Sequence, residues 1–168
     1  MDVRSFGEMW WVPPGQPIES VITGLRRLGP EPFSEAFSTA YLRKRLKGSR
    51  RPIKTALLDQ SLVAGVGNIY ADESLFVAGL QPLTAAGELN LEQLDNLRKA
   101  LVNVLTISIG AGGTTFSDFR DLEGVNGNYG GQAWVYRRGG SPCRRCGTPI
   151  CREKLSGRST HWCPTCQG

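Results

Sequence analysis

Residues 52–79 read PIKTALLDQSLVAGVGNIYADESLFVAG, and the division of this stretch decides the fold. Apolar spacing predicts one helix from Ile53 to Asp59 and a second from Asn68 to Ala78, joined by a tight turn. Between them, Gly65-Val66-Gly67 gives the backbone freedom and leaves no side chain to obstruct a close neighbour. Asn68 stands at the predicted N-cap of the second helix, with Asp72 and Glu73 in its opening turns. A helix N-terminus presents unpaired N–H groups and the positive end of a dipole, so it suits a phosphate. The plainer alternative is a helix pair with a glycine turn and no ligand.

Charge around this stretch is unevenly placed. The net charge is +5, but residues 43–54 (Arg43, Lys44, Arg45, Lys47, Arg50, Arg51, Lys54) carry +7 and residues 137–168 carry +6, leaving −8 on the rest. Positive charge gathered into two blocks on an otherwise acidic chain is the footprint of a polyanion partner; two solvated basic faces are the alternative. No apolar run approaches the ~18 residues of a membrane span and no signal peptide opens the chain, so a soluble, intracellular protein is expected.

Outward from the central stretch, Asp2 to Val12 reads as a strand with an approach loop, halted by Pro13-Pro14-Gly15; its partners would lie upstream of Met1. Ile18, Val21, Ile22, Leu25 and Leu28 predict an amphipathic helix ended by Gly29-Pro30. Ser34 is placed to cap the next one, which carries Phe37, Ala40 and Tyr41 into the basic run. Leu94, Leu97, Leu101, Val104 and Leu105 lie on one stripe of a long helix from about Leu91 to Ile109 and are read as core. Residues 110–131 hold seven glycines and few apolar anchors, which predicts a long, mobile loop of the kind that is functional or disordered. Trp134 to Tyr136 reads as a strand leading into the cysteines.

Cys143-x2-Cys146 and Cys163-x2-Cys166 are separated by 16 residues. That is the C-x2-C-x15–20-C-x2-C spacing of a structural zinc site, in which each C-x2-C turns two sulfurs towards one metal. Two disulfides are the alternative, disfavoured in a reducing compartment. Cys151 to Trp162 is expected to form a hairpin turning at Ser156-Gly157-Arg158, with Cys151 a small hairpin side chain and His161 in a surface or packing role. Four thiolates saturate zinc, so one structural Zn2+ is expected, with no open position for water.

DVRSFG, LGPEPF, KTALLDQSLVAGVGNIYADESLF, GGTTFSDF, VYRRGGSPCRRCG and RSTHWCPTC, in this order, resemble the formamidopyrimidine-DNA glycosylase family from Asp2 to Gln167. That resemblance implies a mainly α protein with little β. A helix–two-turn–helix unit (residues 15–136, with a lesion-covering loop at 110–131) is followed by a zinc-finger hairpin (137–168). A remnant of a β-sandwich domain with an intercalation loop (1–14) precedes them. It implies binding to double-stranded damaged DNA in base excision repair of oxidised purines such as 8-oxoguanine, in the bacterial cytoplasm on the nucleoid. A monomer is expected, with association through the orphan strand or a separate N-terminal half as the alternative.

Carried over by position, the resemblance makes Asn68 a contact to a phosphate flanking the lesion. Arg50 and Lys54 become residues on the DNA face of the first helix. Arg158 becomes the phosphate-binding residue of the zinc hairpin and the proton donor of the final elimination. Arg4 faces the orphaned cytosine, and Phe6 is the wedge that kinks the duplex. The family's catalytic proline and glutamate follow its initiator methionine, whereas this chain starts Met1-Asp2-Val3. The expectation is therefore a C-terminal portion of a glycosylase/lyase, inactive alone. The alternatives are a free-standing non-enzymatic zinc-finger module that binds DNA and, within the family, an endonuclease VIII-like protein.

Overall fold

A computed structural model describes residues 9–113 and 129–168. Arg4, Phe6 and most of the glycine-rich loop lie outside the described residues. The helices are α1 (Ile18–Val21), α2 (Thr39–Leu46), α3 (Ile53–Leu57), α4 (Asn68–Val77), α5 (Leu91–Gly110) and α6 (Tyr129–Gln132). Strands β1 (Cys151–Leu155) and β2 (Arg158–Trp162) close the order as one antiparallel hairpin.

Two apolar clusters organise these elements. The larger lies among α2, α3, α4 and α5, with Leu42, Ile53, Leu57, Leu75 and Leu101 fully enclosed. It takes Leu94, Leu97 and Leu101 of the long helix's stripe, with Leu105 packed against it, and Val104 is buried as well. Asn90 starts that helix with a capping box: its side chain accepts from the Gln93 N–H while the Gln93 side chain accepts from the Asn90 N–H. The smaller cluster joins the end of α4 to the cysteine module through Phe76, Val135, Cys143, Ile150 and Cys163.

The turn between α3 and α4 is held by Gln60. Its Oε1 accepts from the Gly65 N–H at 2.8 Å and its Nε2 donates to the Val66 carbonyl at 3.0 Å. Only Gly65 of the two glycines needs its freedom, at φ +79°; Gly67 is extended at −101°.

Four sequence expectations change. Ile18 to Leu28 is a four-residue helix followed by a 3-10 turn over Thr23–Arg27, with no residue buried in either. An amphipathic stripe without a covering surface gains too little from burial to hold one long helix. Ser38, not Ser34, caps α2 by accepting from the Tyr41 N–H. Met9 to Val12 forms no strand. Trp134 to Tyr136 also forms none, because its N–H groups have another acceptor, described below.

Candidate nucleic-acid interface and metal centre

At the hairpin, β1 and β2 pair from Cys151↔Trp162 to Leu155↔Arg158. The connection is the two residues Ser156 and Gly157, at φ 49° and 78°. Two positive φ values make the turn that matches the strands' right-handed twist. Arg158 is therefore the first residue of β2 and is exposed, one step beyond the expected turn.

The hairpin docks on the helix pair through buried charge. Lys54, expected on the DNA face, is fully enclosed. Its ammonium lies 2.6 Å from Asp72 Oδ1 and donates to the Ser159 carbonyl at 2.7 Å and Thr160 Oγ1 at 2.9 Å. An ion pair and two hydrogen bonds hold the ammonium, which is why a buried lysine is tolerated here and why its charge is directed inwards and not to a phosphate. Burial pulls Lys54 below its ordinary value, and the Asp72 carboxylate pulls it back up. The other oxygen of Asp72 accepts the His161 N–H at 3.0 Å and faces His161 Nδ1 at 3.0 Å. His161 is thus packed inside, not on the surface.

Asn68 is also reassigned. Gly67 is the N-cap of α4, and the Asn68 side chain reaches outward to donate from Nδ2 to the Ser159 carbonyl at 2.9 Å. The first intrahelical bond runs from Ala71 N to Gly67 O, so the opening N–H groups of α4 point past Gly67. One carbonyl, that of Ser159, therefore receives both Lys54 and Asn68, and Arg158 precedes it in the chain. The first turn of α4 thus meets the backbone of β2 at the residue that follows Arg158.

Glu73 makes the second bridge. Its carboxylate accepts the N–H groups of Trp134, Val135 and Tyr136 at 2.7, 2.9 and 2.9 Å, which replaces the expected strand with a carboxylate-centred loop. Burial pushes the Glu73 carboxyl up, and the three donors oppose that. Gln167 makes the third: Oε1 accepts from the Cys163 N–H and Nε2 donates to the Leu80 carbonyl. Sequence reading missed Asp72, Glu73 and Gln167 as bridges. Their one local signal is a pair of acids beside each other on an otherwise apolar helix.

The basic blocks are partly internal. Arg51 pairs with Asp59, Arg43 donates to the Leu89 carbonyl and Arg45 to that of Ser61. Arg138 holds the Trp134 and Pro142 carbonyls, Arg144 those of Gln132 and Gly131, and Arg145 stacks on Phe76. Arg50 is exposed, in the loop before α3 and not on it.

Cys143, Cys146, Cys163 and Cys166 place their sulfurs within 4.8 Å of one another, with 4.0 Å between Cys143 and Cys166 and 3.4 Å between Cys146 and Cys163. Zinc–sulfur bonds of about 2.3 Å put tetrahedral ligand sulfurs about 3.8 Å apart, so the donor set fits one zinc ion. Hydrogen bonds from Thr148 hold the Cys146 thiol down to about 6, while burial pushes the Cys163 and Cys166 thiols up, so zinc binding would release protons from them. The site is a structural zinc centre with four protein ligands; Cys151 lies outside it, on β1.

Comparison with known proteins agrees with this geometry. The family model described as formamidopyrimidine-DNA glycosylase H2TH domain matches residues 28–120, and the zinc finger found in FPG and IleRS matches 140–168. The formamidopyrimidine-DNA glycosylase of Parasynechococcus marenigrum (strain WH8102) is 79% identical over the whole chain, which covers 60% of that protein. That of Prochlorococcus marinus (strain MIT 9313) is 70% identical over 99% of the chain and 57% of its own length. Among solved structures, the MutM (Fpg) protein of Thermus thermophilus matches with a TM-score of 0.83 at 50% identity, covering 88% of this chain and 56% of that one. The Lactococcus lactis Fpg in complex with abasic-site DNA matches at 0.80 and 35% identity, covering 89% and 55%. The chain thus spans about 60% of the length of the curated relatives it matches.

Proposed function

The chain belongs to the formamidopyrimidine-DNA glycosylase family, and from that premise we propose that its residues form the part of a base-excision-repair enzyme that grips damaged duplex DNA. The observation that carries this reading is the Ser159 carbonyl, on which Asn68 and Lys54 converge beside Arg158. It ties the N-terminus of α4 to the zinc hairpin beside Arg158, where a helix N-terminus and a cation together suit a backbone phosphate.

In this reading Asn68 Nδ2, with one hydrogen on Ser159, directs the other to a phosphate oxygen. Arg158 supplies the charge and, near the extruded nucleotide, the proton for the last elimination. Lys54 acts as a positioning residue beneath them. Arg50 adds a phosphate contact at the start of α3, and Arg4 and Phe6 reach the lesion. The substrate class is duplex DNA carrying oxidised purines, and glycosylase chemistry is proposed at the level of the family, these residues contributing the grip. No helix among the described residues is long and apolar enough to cross a membrane. We place the protein in the bacterial cytoplasm, on the nucleoid, as a monomer.

Titration of the zinc-loaded chain with abasic-site duplex tests this. Binding should fall steeply with salt, and Arg158→Ala and Asn68→Ala should each weaken it. Unchanged affinity in both variants would sink the assignment.

A further inference from the structure

A cavity of roughly 400 Å³ opens beside the hairpin, lined by Tyr136, Arg137, Gly139, Arg152, Ser159 and His161. Side chains alternate across a strand, so the register places Arg152, Ser159 and His161 on one face and Arg158 with Thr160 on the other. The Arg152 and Arg158 side chains therefore lie on opposite faces of the hairpin, with Ser159 bordering both the cavity and the Asn68 corner. Among the described residues no carboxylate lines it, and Glu153 belongs to the opposite face. Its floor is fixed, because His161 is held by Asp72 and the Tyr136 ring meets it edge-on at 5.1 Å.

Arg152 is a charged group of the hairpin without an internal task among the described residues. Arg138, Arg144 and Arg145 all brace the loop around Trp134, whereas Arg152 is exposed and makes no hydrogen bond or ion pair among the described residues. Its stem crosses Gly139 so closely that a Cβ there would stand 2.8 Å from the Arg152 Cβ and 3.2 Å from its Cδ. Glycine at 139 is what lets the stem lie along the cavity wall.

We propose that this cavity is a second anion site that takes a backbone phosphate of the bound duplex, with Arg152 as its charged donor and the Ser159 hydroxyl beside it. The proposal rests on the DNA-gripping reading above and extends it to a phosphate beyond the Asn68–Arg158 corner. A phosphodiester and a free phosphate ion share the chemistry, so the experiment has an arm for each.

The zinc-loaded chain is titrated with a plain duplex and with an abasic-site duplex over a range of salt. Each phosphate contact contributes about 0.9 to the slope of log K against log salt, so losing one contact should reduce the affinity drop between about 50 and 200 mM by about 3.5-fold. Arg152→Ala and Arg152→Gln should both show that flattening, equally on the two duplexes, with zinc content unchanged. Arg152→Lys should keep the full slope. A full slope in the Ala and Gln variants overturns this site alone, provided the unsubstituted chain binds steeply and Arg158→Ala weakens it. No duplex binding by the unsubstituted chain overturns both readings. Inorganic phosphate is the second arm: Arg152-dependent binding of the ion with no change in duplex slope makes the cavity a free-anion site and also overturns the proposal.

Discussion

The helical bundle and the zinc hairpin are held together by different physics. Among the described residues seventeen buried apolar side chains form the bundle's cluster, whereas the cluster under the hairpin has five, two of them zinc ligands. What the hairpin lacks in apolar area it draws from four thiolates and from the buried bridges of Asp72, Glu73 and Gln167. The bundle should therefore tolerate the loss of the metal, and the hairpin should not.

The largest effect expected follows from that contrast. Chelation, or Cys163→Ala, should abolish hydrogen-exchange protection across 137–168 while α5 stays protected. Structural zinc contributes about 10–16 kcal/mol in small zinc peptides. Loss of protection in α5 at the same chelator concentration would break the comparison.

Next comes the seam between the two. Lys54→Met leaves Asp72 buried with only His161 beside it, and breaking a buried pair this way costs about 3–5 kcal/mol. Urea denaturation should show it, and adding Asp72→Asn should recover part of the loss. A cost below about 1 kcal/mol, the scale of an exposed pair, would mean the seam is open to water. Within the bundle, Leu101→Ala should cost about 2–5 kcal/mol, with zinc stoichiometry unchanged. Asn90→Ala removes the capping box of α5 and should cost about 1 kcal/mol.

A smaller effect appears in acid. Hydrogen bonds from Ser61, then Arg51, hold the Asp59 carboxyl down to about 2 from 3.8. A carboxyl lower in the folded state lends stability that is complete above the unfolded value and drains as pH falls towards the folded one. Stability of the bundle should decline between about pH 4 and 2 with a slope that Asp59→Asn reduces. An identical slope in the variant would place the acid sensitivity elsewhere.

The zinc centre is legible in sequence because its information is local: two short turns and one spacing. The helices of 52–110 are legible for a similar reason, since a 3.6-residue apolar period needs no knowledge of distant partners. Lys54 misleads because charge beside a basic run signals a surface, and nothing local reveals an acid 18 residues on that encloses it. Trp134 to Tyr136 misleads towards a strand because alternation of side chains says nothing about where the N–H groups go. A carboxylate some sixty residues earlier, at Glu73, takes them. Asn68 falls between: the anion-site reading of its position stands as a proposal, while its capping role passes to Gly67.

The enclosure of Lys54 also constrains how the sequence can drift. Its partners come from α4 and from two consecutive residues of β2, so replacement of either charge alone passes through a form with an unpaired buried ion. Lys54 and Asp72 should consequently be inherited as a unit, exchanged together or kept, while exposed cations outside the proposed phosphate contacts, such as Lys44, vary freely between lineages.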